Sequence, residues 1–228
     1  MNYKMKIVVQ SFDIVNNIWY KELIVQLMCT DFEIIVIISK SSHENVVNFG
    51  KITYIYTPEN LFEFVSFKKV HQYITNTYVH SDMYLFLHDT CRCGPAFNIK
   101  LKHCYEILKN KKFDYAPLGI NRKLAKNYIN KYKTKFNICI CSYDFMNNTN
   151  FVDFFSKPFS KKEAVSIELG NHDYSFRKWN NVIVNESLLC QVVQDKKWCC
   201  QHGTKKLHNY IPVIDLHKYV SKSFLHST

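Results

Sequence analysis

Apolar residues gather in short runs along the first half of the chain, and helical spacing fills the stretches between them. Ile7, Val8 and Val9 form the first run, which predicts a buried strand over residues 5–12 with Gln10, Ser11 and Phe12 in the loop at its end. Residues 17–28 then carry Trp19, Leu23, Val25 and Leu27 among charged positions, the pattern of a helix. Two β-branched runs, residues 33–39 and 51–57, are short enough for interior strands and are each followed by turn chemistry. Residues 59–79 set Phe62, Val65, Phe67, Val70 and Tyr73 on one wide apolar face, predicting a second helix. The run from Met83 to Leu87 ends in His88 and Asp89, with a Gly94-Pro95 break close behind.

Strand and helix alternate three times before that last strand, so the fold class is α/β, a mostly parallel sheet flanked by helices. Beyond it, residues 98–110 read as a lysine-bearing helix and residues 113–118 as a short extended piece. Residues 121–135 are basic, rich in Asn and without period, which predicts a loop facing a partner. Residues 136–145 are strand-like, and residues 160–169 form a helix stopped by Gly170 and Asn171. Basic and apolar residues alternate through residues 205–219, where Ile211, Val213, Ile214 and Leu216 are expected to finish the core. Alternatively the same segment folds over the site as a lid, with Lys218 near phosphate. No internal repeat or low-complexity tract interrupts this order.

Composition narrows the classes. With 228 residues, 47% of them hydrophobic and 15% aromatic, the chain builds a full core, and five Gly and five Pro exclude a fibrous or disordered chain. A formal charge of +11 favours an anionic partner, although the basic residues are dispersed rather than aligned on one stripe. A nucleic-acid-binding role is disfavoured because there is no zinc-finger spacing, no aromatic ribonucleoprotein signature and no helix-turn-helix pattern. No run of 18 apolar residues occurs and residues 1–6 lead straight into a strand, so the expectation is a soluble, cytoplasmic protein without a membrane span.

Nine cysteines without a secretory leader predict reduced thiols. Cys91-x-Cys93 and Cys139-x-Cys141 have one intervening residue where structural zinc sites have two or more, so these thiols are read as small buried or half-buried side chains.

Candidate chemistry concentrates at Asp89. A lone carboxylate at the end of a buried strand lies where open α/β sheets hold their ligands, and it typically holds a metal or a ligand hydroxyl. The plainer alternative is an Asp turn after a strand. His88 beside it reads either as a ligand or as a core histidine, and His202 as a metal or phosphate ligand or a loop residue.

The strand at Ile7 to Val9, the strand ending in His88-Asp89-Thr90, and residues 136–145 followed by an acidic helix together resemble a small glycosyltransferase of the GT-A fold. The order is similar to the short glycosyltransferase-like proteins of large DNA viruses, whose AT-biased composition it would share. The resemblance implies one GT-A-like domain over residues 1–228: a nucleotide-binding half (1–97), an acceptor and catalytic half (98–204) and a tail (205–228). If viral, the protein would work in the host cytoplasm.

It further implies transfer of a sugar from a nucleotide-sugar donor to a hydroxyl of a glycan or protein-linked glycan, with inversion at the anomeric centre and a carboxylate taking the acceptor's proton; the alternative within the same fold is a protein that has lost activity and only binds nucleotide sugars. Glu168 is the first choice for that base, with Asp144 and Asp173 as rivals. Gln10, Ser11, Phe12, His88, Asp89 and Lys218 would contact the donor. The family's Asp-x-Asp, which binds a divalent cation across the diphosphate, is incomplete here, since Thr90 and Cys91 follow Asp89. Either Mn2+ or Mg2+ is held by Asp89 with diphosphate oxygens and His202, or basic side chains replace the metal.

Overall fold

The computed structural model describes residues 3–12, 14–15, 17–60, 64–78, 81–110, 115–118, 138–147, 205–211 and 213–221. The expected loop at 121–135 and helix at 160–169 lie outside the described residues.

Four strands make the parallel centre of a seven-stranded sheet: β1 (Met5–Ser11), β2 (Glu33–Ile38), β4 (Ile52–Tyr56) and β5 (Met83–His88). Antiparallel strands flank them, β3 (Asn45–Phe49) against β4 on one side, and β8 (Cys139–Ser142) followed by β7 (Tyr115–Pro117) beyond β5 on the other. The sheet order is β3-β4-β2-β1-β5-β8-β7. Every residue of β1 and β5 is buried, as expected of strands covered on both faces.

Alternation along the strands separates two apolar layers. Met5, Ile7, Val9, Leu85 and Leu87 face α1 (Ile18–Met28) and α3 (Phe97–Leu108), which contribute Leu23, Leu27, Leu101 and Leu108. Each of those leucines is buried completely, worth roughly 1.5–3 kcal/mol apiece. Val8, Ile35, Ile37 and Phe86 face α2 (Val65–Thr77), where Phe67 stacks on Phe86 with ring centroids 4.1 Å apart. Of the positions expected from helical spacing, Val65, Phe67 and Val70 are buried on α2 together with Ile74, Tyr73 is half-buried, and Phe62 lies outside the described residues.

β3 was not expected from the sequence. It returns on β4 through a two-residue hairpin in which Phe49 pairs with Ile52, and Gly50 takes φ of 58°, the conformation such a turn needs at its first central position. It fills the connection between the two expected strands, which is too short for a helix to cross the sheet. A four-residue helix, α4 (Tyr143–Met146), follows β8. Ile211, Ile214 and Leu216 are buried completely in the α1-side layer and Val213 packs against it, so the tail finishes the core.

A second, three-stranded antiparallel sheet joins β6 (Cys91–Cys93), β10 (Leu216–Ser221) and β9 (Lys205–Ile211) in the order β6-β10-β9. Its hinge with the helical layer is a close backbone approach. Gly94 donates to the Asp215 carbonyl at 2.7 Å, and the Asp215 carboxylate accepts from Ala96 N and Tyr210 Oη, both at 2.9 Å. Burial together with that bond pushes Tyr210 up to about 12. A Cβ added at Gly94 would lie 2.2 Å from Asp215 Oδ2. Gly94→Ala should therefore displace the carboxylate from its donors and destabilise the protein by about 2 kcal/mol or more, read as a lower denaturant midpoint; an unchanged midpoint would show the hinge is slack.

Candidate functional site

The connections around β1 decide where a ligand fits. From β1 the chain moves through α1 to β2 and then on to β4, all to one side, whereas β5 pairs with β1 on the other side. α1 covers one face and α2 the opposite face, so the two helices diverge at the β1–β5 boundary. That is the switch point at which an open α/β sheet leaves a crevice beyond its carboxyl edge. Ser11 ends β1 there, and Asp89 follows the last residue of β5.

Asp89 is half-buried and its amide donates to the Gln10 carbonyl at 3.1 Å. Its Oδ2 accepts from the fully buried Ser11 hydroxyl at 2.9 Å and from Asn17 Nδ2 at 2.7 Å. Asn17 serves two elements at once. Its Oδ1 accepts from Trp19 N at 3.1 Å and Tyr20 N at 3.2 Å, capping α1. The first turn of α1 holds no acidic residue, so Asp89, reached through Asn17, is the carboxylate that complements the positive end of this helix. Sequence reasoning placed Asn17 at a helix start without assigning it to the site. The signal was present in its cap position, but its partner lies 72 residues away.

The small sheet clamps the same corner. Thr90, the turn residue after Asp89, accepts from Tyr219 N at 3.1 Å. Arg92, only 6% exposed, donates to Glu22 Oε2 at 2.8 Å and to the Trp19 carbonyl at 2.7 Å while its guanidinium lies 4.3 Å from the Trp19 ring. Burial lowers the pKa of Arg92 and Glu22 counters part of that effect. Trp19 in turn meets Tyr219 with ring centroids 5.2 Å apart. Lys218 of β10 pairs in register with Cys91 and is buried. Burial pushes the Cys91 thiol up to about 11, with Lys218 and Asp89 acting on it in opposite senses. Cys91 itself is fully buried in the α1-side layer, so Lys218 and Asp89 act on a neutral thiol inside the core.

Other expected site residues fall elsewhere. Phe12 is 40% exposed at the rim, with Lys40 Nζ 5.4 Å from its ring centroid. Gln10 and His88 pair across β1 and β5, but alternation sends their side chains to the α2 face, away from Asp89, and both are buried. Gln10 Nε2 donates to Ser39 Oγ at 2.5 Å, and its buried Oε1 has no hydrogen-bond partner among the described residues. Both side chains thus lie on the opposite face of the sheet from the Asp89 carboxylate.

Asp144 requires a larger correction. β8 runs antiparallel to β5, with Ser142 opposite Met83, so Asp144 lies at the amino edge of the parallel strands. The length of β5, six residues at about 3.3 Å each, separates that edge from Asp89 by roughly 20 Å. Asp144 is an exposed first-turn residue of α4, whose cap is Ser142, and it stands at the opposite edge of the sheet from Asp89. Glu168, Asp173 and His202 lie outside the described residues.

Of the two residues expected to hold a cation, the described structure includes Asp89 alone. No group of three or more His, Cys, Asp or Glu side chains comes together among the described residues. Asp89 spends Oδ2 on Ser11 and Asn17, and position 91 offers a buried protonated thiol instead of a hard oxygen. His202, the other expected ligand, lies outside the described residues.

Comparison with solved structures gives a likeness of TM-score 0.50 to the crystal structure of a glycosyltransferase involved in the glycosylation of the major capsid of PBCV-1. It covers 79% of this chain and 81% of that chain at 13% sequence identity. The chain therefore shares the fold of that glycosyltransferase. No family model matches the sequence, and no curated protein matches it.

Two substitutions separate the two duties of Asn17. Asn17→Ala removes the cap and one charge-assisted bond, and is expected to cost about 2 kcal/mol at every pH where Asp89 is ionised. Asn17→Asp keeps a capping oxygen but sets two carboxylates against each other, raising the folded-state pKa of the pair above its unfolded value. The folded state then binds more protons than the unfolded chain, so this variant should regain stability as pH falls through the carboxylate range and lose it as pH rises. Urea midpoints measured across that range check the sign; parallel profiles for the two variants would refute the contact.

Proposed function

We propose that this chain is a glycosyltransferase that transfers a sugar from a nucleotide-sugar donor to an acceptor hydroxyl, with the donor in the crevice beyond β1 and β5. The observation that carries this reading is the Asp89 carboxylate, fixed by Ser11 and Asn17 at the switch point of the sheet. The shared fold supports it.

The parts divide the work by their chemistry. Exposed Phe12 offers an aromatic surface to the nucleobase, and Lys40 beside it offers a cation to the phosphates. Asp89 accepts a donor hydroxyl in a fixed orientation, because its two bonds to the protein leave it no rotational freedom. As the bond between the anomeric carbon and the diphosphate oxygen breaks, negative charge grows on the leaving group, and Lys218 supplies the opposing charge. The acceptor oxygen forms the new bond to the anomeric carbon and its proton passes to a carboxylate base, for which Glu168 is our assignment from the sequence.

Thermal-shift titration with UDP, GDP and their sugars tests this reading. At least one nucleotide should raise the melting temperature, and the shift should persist in EDTA. Asp89→Ala should abolish the shift, and Lys218→Met should slow turnover by roughly 10²–10³-fold. Glu168→Gln should stop transfer while sparing donor affinity. Absence of any nucleotide shift, together with salt-sensitive binding to oligonucleotides, would replace this reading with a nucleic-acid-binding one.

A further inference from the structure

Strand β3 ends the sheet on the side away from β5, and nothing among the described residues pairs with its outer edge. All five of its residues are exposed, with Val46, Val47 and Phe49 at 49%, 42% and 70%. An edge of this kind offers a row of unused N–H and C=O groups to another strand, and proteins ordinarily block it with a lysine, a proline or a bulge. β3 has none of these. Its sequence, Asn45-Val46-Val47-Asn48-Phe49, holds no charge and no proline, and it keeps an unbroken register against β4.

The hairpin sets which groups face outwards. A two-residue turn closes on a pair that exchanges both hydrogen bonds, here Phe49 and Ile52. Bonding alternates along an antiparallel pair, so Asn45, Val47 and Phe49 direct their backbone groups to β4, whereas Val46 and Asn48 direct theirs to the free edge. Those two residues are spaced to pair with their counterparts in an antiparallel copy, Val46 of one copy with Asn48 of the other, on both sides of a two-fold axis at Val47. The two Val47 side chains then stand directly opposite each other, on the face of the sheet that carries Ile52 and Tyr54.

Charge selects a second copy as the occupant. The chain carries +11, and that excess drives copies apart wherever basic surfaces meet. β3 escapes the repulsion, because it is uncharged and Glu44 just before it is held by Lys69. Self-pairing sets valine opposite valine and asparagine opposite valine, with no like charges opposed. We propose that β3 is a self-association edge, through which two copies of this chain join their seven-stranded sheets into one, antiparallel about Val47. Strand direction reverses between the copies, so their carboxyl edges open to opposite sides. β3 stands four strand spacings from β5, roughly 19 Å at about 4.8 Å each, and the pairing does not reach Asp89. A single strand pair covers less than the roughly 1,200 Å² of a stable interface, so the dimer is weak and its population rises with concentration. The inference goes beyond the transferase reading and does not rest on it.

Sedimentation velocity of the full chain over a concentration series tests the proposal. The mass should rise from 27.1 kDa towards twice that value as concentration increases, and more readily in added salt, which screens the net charge. Val47→Lys and Val47→Glu, at an exposed position, should each weaken association at least about tenfold, because each sets like charges opposite each other on the axis. An equimolar mixture of these two variants should associate again, since lysine then faces glutamate. Val47→Thr, neutral and β-branched, should behave as the unsubstituted chain. A mass of 27.1 kDa at every concentration would overturn the proposal and leave the edge to a different chain. So would association that Val47→Lys leaves intact, that the mixture fails to restore, that Val47→Thr abolishes, or that weakens with added salt.

Discussion

The site depends on one side chain that answers to two elements. Asn17 gives its amide hydrogens to Asp89 and its amide oxygen to the first turn of α1. A helix start needs an acceptor, and a carboxylate at a sheet edge needs donors; a single amide meets both demands at fixed geometry. The consequence is mechanical coupling. α1 cannot shift along its axis without moving Asp89, and the turn at Asp89–Thr90 cannot open without uncapping α1.

The small sheet reinforces this coupling from the other side, and it does so with charge. Arg92, Asp215 and Lys218 are all buried. Burying such groups is costly unless each is paired, and the pairings dictate an arrangement. Arg92 fits only where Glu22 and the Trp19 carbonyl converge on it, which fixes β6 against α1. Asp215 fits only where Gly94 lets two backbones touch. Apolar packing alone would tolerate sliding; these polar contacts choose one register, and Lys218 arrives beside Cys91 as a result.

Periodicity was a good guide wherever an element is long and its burial is set by its own faces. β1, β2, β4 and β5 are runs of β-branched and apolar residues with few rivals, and α1 and α2 carry wide apolar stripes. The edge strand β3 escaped because all five of its residues are exposed, so neither alternation nor a buried run marks it. Short β6 escaped because three residues make no pattern. Antiparallel entry of β8 was equally hidden, since direction depends on long-range pairing, and that direction is what removes Asp144 from the site. Asp89 was readable because it interrupts an apolar run. Its partners Ser11 and Asn17 were not readable as partners, because proximity across 78 and 72 residues is a property of topology.

The incomplete acidic motif has a structural reason in the same register. β6 begins immediately after the Asp89–Thr90 turn, and its first residue points into the α1-side core, where Cys91 is fully buried among apolar side chains. A carboxylate at position 91 would sit in that layer, and an ionised group there would cost several kcal/mol unless a cation or donors came with it. A thiol fills the space at no such cost and stays neutral. Thus the turn that places Asp89 at the crevice also turns position 91 away from it. A second carboxylate at that spacing would require a different path out of β5. On the transferase reading proposed above, positive charge is what would oppose a departing diphosphate, and β10 carries Lys218 to the strand beside β6.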